Sequence, residues 1–211
     1  EGQIDVIACH EAGISFAVAP LGTAFTPEHA RILSRYASRI VLCFDADKAG
    51  MVAADRAFRE LAPFGKDIYL VNLPAGDDPD SFMKREGKEA FSGMVERARS
   101  FFEVRIERAR ESGLLDDAAS SAAFAREMTA LLACMSDPVA RDLATADVAT
   151  RMRMAADNLR GAVRMAGRRK GQEQAQSAER KTAEEVPQHP PVKMDRAVAV
   201  LCELALQNSR A

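Results

Sequence analysis

Acidic side chains stand at three points of this 211-residue chain where a predicted strand ends. Two aspartate pairs follow the predicted strands 40–44 and 67–73, and a glutamate precedes the first predicted helix, where an earlier strand would end. Side chains two residues apart in an extended segment point the same way, so each pair presents its carboxylates together. The five candidates are Glu1, Asp45, Asp47, Asp78 and Asp80.

Carboxylates collected in one place repel one another and lose hydration unless a cation neutralises them. All five candidates are carboxylates, so they would offer a metal ion oxygen ligands alone. Such a ligand set selects Mg2+ or Mn2+ over Zn2+. Two such ions can stabilise both the attacking and the leaving oxygen of a phosphoryl transfer. The residue types therefore predict a divalent-metal site that acts on phosphates.

A structural role for each aspartate pair is the competing interpretation. Asp-x-Asp after a strand is also typical of a helix cap or a solvated turn, and Asp and Pro are common in turns generally. The metal hypothesis depends on the conjunction of acids at three successive strand ends, each followed by a helix.

A sheet must bring these strand ends to one edge, and residues 1 to 75 have the pattern of one. Strands are predicted over 16–19, 40–44 and 67–73, and helices over 5–12, 26–37 and 49–61. Strands that alternate with helices at this spacing favour a parallel α/β sheet, and open α/β sheets place their sites at the carboxyl ends of the strands.

The pattern becomes wholly helical after Asp80. Helices are predicted over 81–86, 88–110, 124–135 and 139–165, with no strand among them. Residues 167–193 are polar and rich in Gln, Glu and Lys, which predicts a disordered linker, and 194–207 form an amphipathic helix. The predicted fold is an α/β parallel sheet followed by an all-α helical subdomain.

Composition excludes several classes of protein. The formal net charge is -2, with 47% apolar residues, and no apolar run reaches the roughly 20 residues of a membrane helix. The cysteines form no CxxC and have no His at finger spacing, so buried free thiols in a reducing cytosol are favoured over zinc. The cysteines are Cys9, Cys43, Cys134 and Cys202.

The near-zero charge hides a basic segment. Residues 151–181 hold nine Lys or Arg and three acids, a run that can bind a phosphate backbone or form a solvated helix end. Within it, Arg168, Arg169 and Lys170 are candidates for nucleic-acid contact. Lys48, which follows the Asp45–Asp47 pair, is a further candidate for a phosphate, with a solvated lysine as the alternative.

The acidic motifs also resemble a known family. Glu1-Gly2-x-x-Asp5, followed by Asp45-Ala46-Asp47 after an apolar strand, resembles the Toprim signature of bacterial-type primases, topoisomerases and some nucleases. The closer resemblance is to DnaG-type replicative primases, although Ala46 stands where Gly is common in that family. The segments that carry the resemblance are 1–8, 21–26, 41–50, 78–87 and 137–141.

The resemblance implies an activity and its residues. Asp45, Asp47 and Asp78 would bind Mg2+ or Mn2+ with help from Asp80, and Glu1 would be a ligand or the base that deprotonates a 3'-hydroxyl. The reaction would be synthesis of an RNA primer from ribonucleoside triphosphates on a single-stranded DNA template. A DnaB-type helicase would be the partner through the C-terminal region, in the bacterial cytoplasm at the replisome.

The resemblance also implies a division of the chain. Residues 1–80 would be the Toprim domain with its first strand truncated, 81–166 the helical subdomain, 167–193 the linker and 194–211 the start of a helicase-interacting region. DnaG-type primases carry a zinc-binding domain and a basic subdomain before the Toprim domain. The chain is therefore expected to be a catalytic middle portion, with zinc only in the missing N-terminal domain.

Two other functions remain open at this point. One is a different Toprim phosphoryl-transfer enzyme, either a nuclease or part of a topoisomerase. A topoisomerase needs a catalytic tyrosine, and the only tyrosines, Tyr36 and Tyr69, fall inside a predicted helix and a predicted strand. The other is a non-catalytic Toprim module that binds nucleic acid, against which the retained acids argue.

Overall fold

The computed structural model describes residues 2–20, 24–45, 47–74 and 76–184, with the backbone alone at position 170 and over 173–184. The chain divides into two compact units, residues 1–169 and 170–211. The described helices are α1 (Gln3–Glu11), α2 (Pro27–Tyr36), α3 (Lys48–Leu61), α4 (Pro79–Glu86), α5 (Lys88–Glu96), α6 (Phe101–Glu111), α7 (Ala118–Leu132), α8 (Pro138–Arg151) and α9 (Ala156–Glu184). The described strands are β1 (Arg39–Leu42), β2 (Asp67–Leu70) and β3 (Arg99–Ser100).

The three strands form one mixed sheet in the order β1-β2-β3. β1 pairs parallel with β2, so that Arg39 lies opposite Asp67 and the two strands end together. β2 pairs antiparallel with β3 through Tyr69 and Ser100. The predicted α/β fold with a parallel pair, followed by many helices, is confirmed.

Alternating side chains of β1 enter two separate apolar clusters. Ile40 and Leu42 belong to the larger cluster, in which Phe58 of α3 stacks on Phe101 of α6 with ring centroids 4.3 Å apart. Val41, which points to the opposite face, packs against the smaller cluster. That cluster takes residues from α1, α4 and α5, among them Cys9, Phe82 and Phe91. Helices therefore cover both faces of the sheet, as expected for a parallel pair.

The helix start predicted from Thr26 is confirmed. The Thr26 hydroxyl accepts a hydrogen bond from the His29 backbone N–H at 3.3 Å, and Pro27 occupies the first helical turn. Thr26 thus satisfies a backbone donor that has no partner within the helix.

The strand predicted over residues 16–19 is wrong. The segment turns locally, with the Ala17 N–H bonded to the Ile14 carbonyl and His10 Nε2 3.0 Å from the Ala17 carbonyl oxygen. Phe16 and Val18 are 73% and 67% exposed, so the apolar run is not a buried strand. A run of four apolar residues does not by itself specify a strand partner.

The helix predicted over residues 88–110 is also wrong in its middle. It divides into α5 and α6 because Arg99 and Ser100 pair with the free edge of β2. Ser100 then caps α6, since its hydroxyl accepts from the Glu103 N–H at 3.3 Å. A tertiary pairing of two residues thus overrides local helix propensity.

The later helices depart from prediction at two further points. The pattern over 139–165 breaks between α8 and α9, where Arg153 adopts a φ of 55°. The polar segment predicted as a linker, 167–193, is helical as far as Glu184, and its remainder lies outside the described residues together with the predicted helix 194–207. Among the described helices, none is long and apolar enough to cross a membrane.

A buried ion pair joins α3 to α6 and α7. Nε of Arg105 lies 2.8 Å from Oδ1 of Asp55, and its Nη2 reaches Glu127 at 3.3 Å. The guanidinium also lies over the Phe124 ring, 5.4 Å from its centroid. Burial raises the pKa of Asp55, although Arg105 acts to lower it. Removal of either partner would destabilise the fold, because the remaining charge would be buried without this counter-ion.

We expect Arg105→Met to lower the free energy of unfolding by about 3 kcal/mol, because it leaves the Asp55 carboxylate unpaired. Urea denaturation at neutral pH measures this change. Arg31→Met, which removes the exposed Arg31–Glu28 pair, is the matched control and should leave stability almost unchanged. Equal effects of the two variants would contradict the role assigned to the buried pair.

Candidate metal centre

Asp45 is held at the carboxyl end of β1 by a close approach of α3. A Cβ atom placed on Gly50 would overlap the carbonyl oxygen of Asp45 and lie 2.9 Å from its carbonyl carbon. Only glycine leaves room for this contact, so Gly50 allows α3 to begin directly behind the strand end. The backbone of Asp45 is thereby fixed, and its side chain is half-buried.

Asp47 begins α3 as its N-cap. Its Oδ1 accepts a hydrogen bond from the Gly50 N–H at 2.7 Å. The structural interpretation of this residue as a helix cap is therefore confirmed, and the cap uses one of the two carboxylate oxygens. A capping carboxylate at a helix N-terminus is also favoured by the helix dipole.

Asp78 has the same role at α4. Its Oδ1 accepts from the Ser81 N–H at 2.7 Å, and the Ser81 hydroxyl in turn accepts from the Asp78 N–H at 3.0 Å. The bonds to Ser81 lower the pKa of Asp78, so its carboxylate is ionised over a wider pH range. Two helix N-termini therefore hold two predicted site residues.

Electrostatics show that these carboxylates are neighbours. The pKa of Asp45 is raised, first by desolvation and then by the charges of Asp5, Asp78 and Asp47. Acids from α1, from the segment after β1 and from the start of α4 are thus close enough for their charges to act on Asp45. Sequence reasoning placed Asp5 in the motif but not among the site residues. Asp5 lies in the first turn of α1, where its carboxylate accepts a hydrogen bond from the Gly2 N–H at 3.0 Å. Its position at the start of the predicted helix was the signal in the sequence that could have identified it.

The acids on either side of Asp78 and Pro79 form ion pairs with bases of α4. Asp80 Oδ2 pairs with Lys84 at 2.6 Å. Asp77, which sequence reasoning passed over, is buried and forms a two-fold pair with Arg85 at 2.5 and 2.6 Å. Hydrogen bonds from Arg85 hold the pKa of Asp77 below its ordinary value. Asp77 fastens the loop before α4 and so positions Asp78, a role the sequence Asp-Asp-Pro-Asp does not distinguish.

Three other predicted site residues are described by the structure, and they do not join this cluster of acids. Lys48 is exposed at the first position of α3, while Arg168 and Arg169 are exposed on α9. Glu1 and the side chain of Lys170 lie outside the described residues. The roles predicted for all of them stay predictions.

The donor set fits a divalent cation. Asp5, Asp45, Asp47 and Asp78 supply oxygen atoms alone, and their mutual repulsion at Asp45 is what a cation would relieve. Among the described residues, however, no three Asp, Glu, His or Cys side chains are already arranged to hold a metal ion. The charges of these acids nevertheless act on one another at Asp45.

The α/β fold, with acids near the carboxyl ends of its parallel strands, defines the class of domain to which residues 1–83 belong. Comparison with known families gives the same class. Residues 1–83 match the family described as Toprim-like, and residues 102–156 match the DnaB-helicase binding domain of primase. The helicase-binding match thus covers α6 to α8, whereas sequence reasoning had assigned the helicase to residues 194–211, a prediction that stays untested.

Proteins with similar sequences are DNA primases. The chain is 42% identical to a DNA primase of Clostridium acetobutylicum over 143 residues, 68% of this chain and 24% of that protein. It is 42% identical to an Escherichia coli DNA primase over 101 residues, 46% and 17% of the two chains. The chain thus spans about a quarter or less of the length of these relatives.

Two solved structures have the same fold over most of this chain. A DNA primase domain from Pseudomonas aeruginosa superimposes with a TM-score of 0.64 at 32% identity, covering 78% of this chain and 52% of that one. The zinc-binding and RNA polymerase domains of Aquifex aeolicus primase give 0.62 at 33%, covering 75% and 38%. The chain belongs to the DnaG-type bacterial primases, which confirms the resemblance drawn from its motifs.

We expect Gly50→Ala to destabilise the protein by about 1–3 kcal/mol, because the new methyl group overlaps the Asp45 backbone. Gly161→Ala is the matched control, since Gly161 also lies in a helix but has open space around its Cβ position. That control should gain about 0.5–1 kcal/mol from helix propensity. Urea denaturation compares them, and a neutral or stabilising Gly50→Ala would contradict the close approach.

Proposed function

We propose that this chain carries the metal-binding catalytic region of a DNA primase, which synthesises RNA primers on single-stranded DNA during replication in the bacterial cytoplasm. The observation that carries the proposal is the position of Asp45 among the acids of α1, α3 and α4, in a chain 42% identical to DNA primases. A DnaG primase catalytic domain bound to single-stranded DNA is among the solved structures similar to this chain, at 28% identity and a TM-score of 0.62.

Mg2+ or Mn2+ would be held by Asp45, Asp47 and Asp78, with Asp80 assisting. The capping bonds of Asp47 and Asp78 each use Oδ1, and a carboxylate has a second oxygen to offer. When bound, the ions supply positive charge to the attacking and leaving oxygens of the transferred phosphoryl group. Lys84 must then share Asp80, to which it is paired at 2.6 Å.

The proposed reaction is nucleotidyl transfer. The 3'-oxygen of the growing primer forms a bond to the α-phosphorus of a ribonucleoside triphosphate, and the bond from that phosphorus to the pyrophosphate oxygen breaks. Glu1 accepts the proton of the 3'-hydroxyl or contributes a metal ligand. Lys48, which is exposed one residue after Asp47, would contact a phosphate oxygen.

Contacts outside the acidic site belong to the same proposal. Arg168, Arg169 and Lys170 would add nonspecific attraction to the phosphates of DNA or RNA, because cations that neutralise phosphates release bound counterions. A DnaB-type helicase would dock on the primase, as the family match over residues 102–156 supports.

We expect Asp45→Ala to lower primer synthesis at least about 100-fold, because it removes the carboxylate on which the other acids converge. The measurement is incorporation of labelled ribonucleotides on a single-stranded template by the full-length protein. Asp67→Ala is the control: Asp67 is exposed at the amino end of β2, the opposite end from the site, and its loss should leave synthesis within about twofold. Retained polymerisation in Asp45→Ala would refute the site assignment.

A further inference from the structure

The exposed face of α3 carries positive charges and no negative one. Buried side chains of this helix, such as Ala54, Phe58 and Leu61, point into the larger apolar cluster. The exposed positions fall on the opposite face, because their spacing follows the helical repeat. They are Lys48, Ala49, Val52, Arg56 and Arg59. We call this face the α3 stripe: it has three cations and no acid.

The acids of α3 do not neutralise this stripe. Asp55 is turned inward to Arg105, and Glu60 is half-buried at the far margin of the face. Within the described part of the chain, none of the three stripe cations forms a salt bridge, although Arg59 is close enough to lower the pKa of Asp55.

Some cations on other helices are paired with an acid of their own helix. Arg31 pairs with Glu28 on α2, Lys84 with Asp80 on α4, and Arg151 with Asp147 on α8. Each of these pairs is formed within one helix at a spacing of three or four residues, which reduces the local field. Among the described residues the three stripe cations form no such pair, so their charges act on solvent and on whatever approaches α3.

The stripe begins beside the acidic site. Lys48 follows Asp47 directly, and Arg59 lies 11 residues further along the same helix, about 16 Å away at the rise of an α-helix. That length matches roughly five phosphates of one strand in a B-form duplex. Cations spread along a line suit an extended polyanion better than a small phosphate ligand.

We propose that the α3 stripe binds the sugar-phosphate backbone of a nucleic acid strand that runs from the metal centre along α3. The proposal rests on the proposed function for the identity of the polyanion. In addition to Lys48, Arg56 and Arg59 would contact phosphates of the strand. Binding would not depend on the base sequence, because phosphate contacts position a strand without specifying sequence. An acidic protein segment is the competing occupant, and the experiment separates the two.

The test is binding of fluorescent oligothymidylate to the 211-residue chain by anisotropy, in EDTA, over a range of salt concentrations. The triple variant Lys48→Gln/Arg56→Gln/Arg59→Gln should lose about tenfold in affinity, and the slope of log K against log salt should become shallower by about 2. Lys66→Gln/Lys88→Gln/Arg97→Gln is the control, since it removes the same charge from positions off the stripe.

A gain-of-function variant keeps the test independent of folding defects. Val52 is 70% exposed in the middle of the stripe, so Val52→Lys adds a cation there without emptying the core. It should tighten binding and steepen the slope by about 0.7. Arg56→Lys/Arg59→Lys keeps the charge and should bind like the wild type.

Three results would overturn the proposal: equal affinity loss in the stripe and control triple variants, no change of slope in Val52→Lys, or competition by polyglutamate as strong as that by unlabelled oligothymidylate. Because the assay contains no divalent metal and no polymerisation, Asp45→Ala should not weaken binding in it. This assay therefore distinguishes failure of the α3 stripe proposal from failure of the proposed catalytic function.

Discussion

The close contact between the start of α3 and the segment that follows β1 determines the position of the other site residues. The backbone of Gly50 touches that of Asp45, so the strand and the helix meet with no space for a side chain between them. This contact fixes Asp45 at the carboxyl edge of the sheet and sets the direction of α3 across the larger core. The cap at Asp47, the inward turn of Asp55 and the exposed stripe all follow from that direction.

The acids of the candidate metal centre change the pH dependence of stability in opposite directions. Hydrogen bonds lower the pKa values of Asp77 and Asp78, so both stabilise the fold at neutral pH, and that contribution is lost as the pH falls through their lowered pKa values. Asp45 acts in the opposite sense, because its ionised form is disfavoured and the penalty is relieved on acidification. Neighbours that bind protons so differently are typical of functional sites.

Periodicity and capping residues predicted α1 to α4 and the parallel strand pair, because those signals are local. Three features were not predictable in this way. β3 forms by pairing with β2, a partner 30 residues away, and segment 16–19 finds no such partner among the described residues. The distinct roles of Asp77, Asp78 and Asp80 depend on which side chain meets Arg85, Ser81 or Lys84, which spacing does not encode.

The central claim is that these acids converge to bind a divalent cation. Titration with Mn2+, followed by electron paramagnetic resonance of the free ion, tests it on the 211-residue chain without any need for catalysis. The account predicts saturable binding by the wild type and by Asp67→Ala, and its loss in Asp45→Ala/Asp47→Ala. Equal binding by the double variant and the wild type would contradict it.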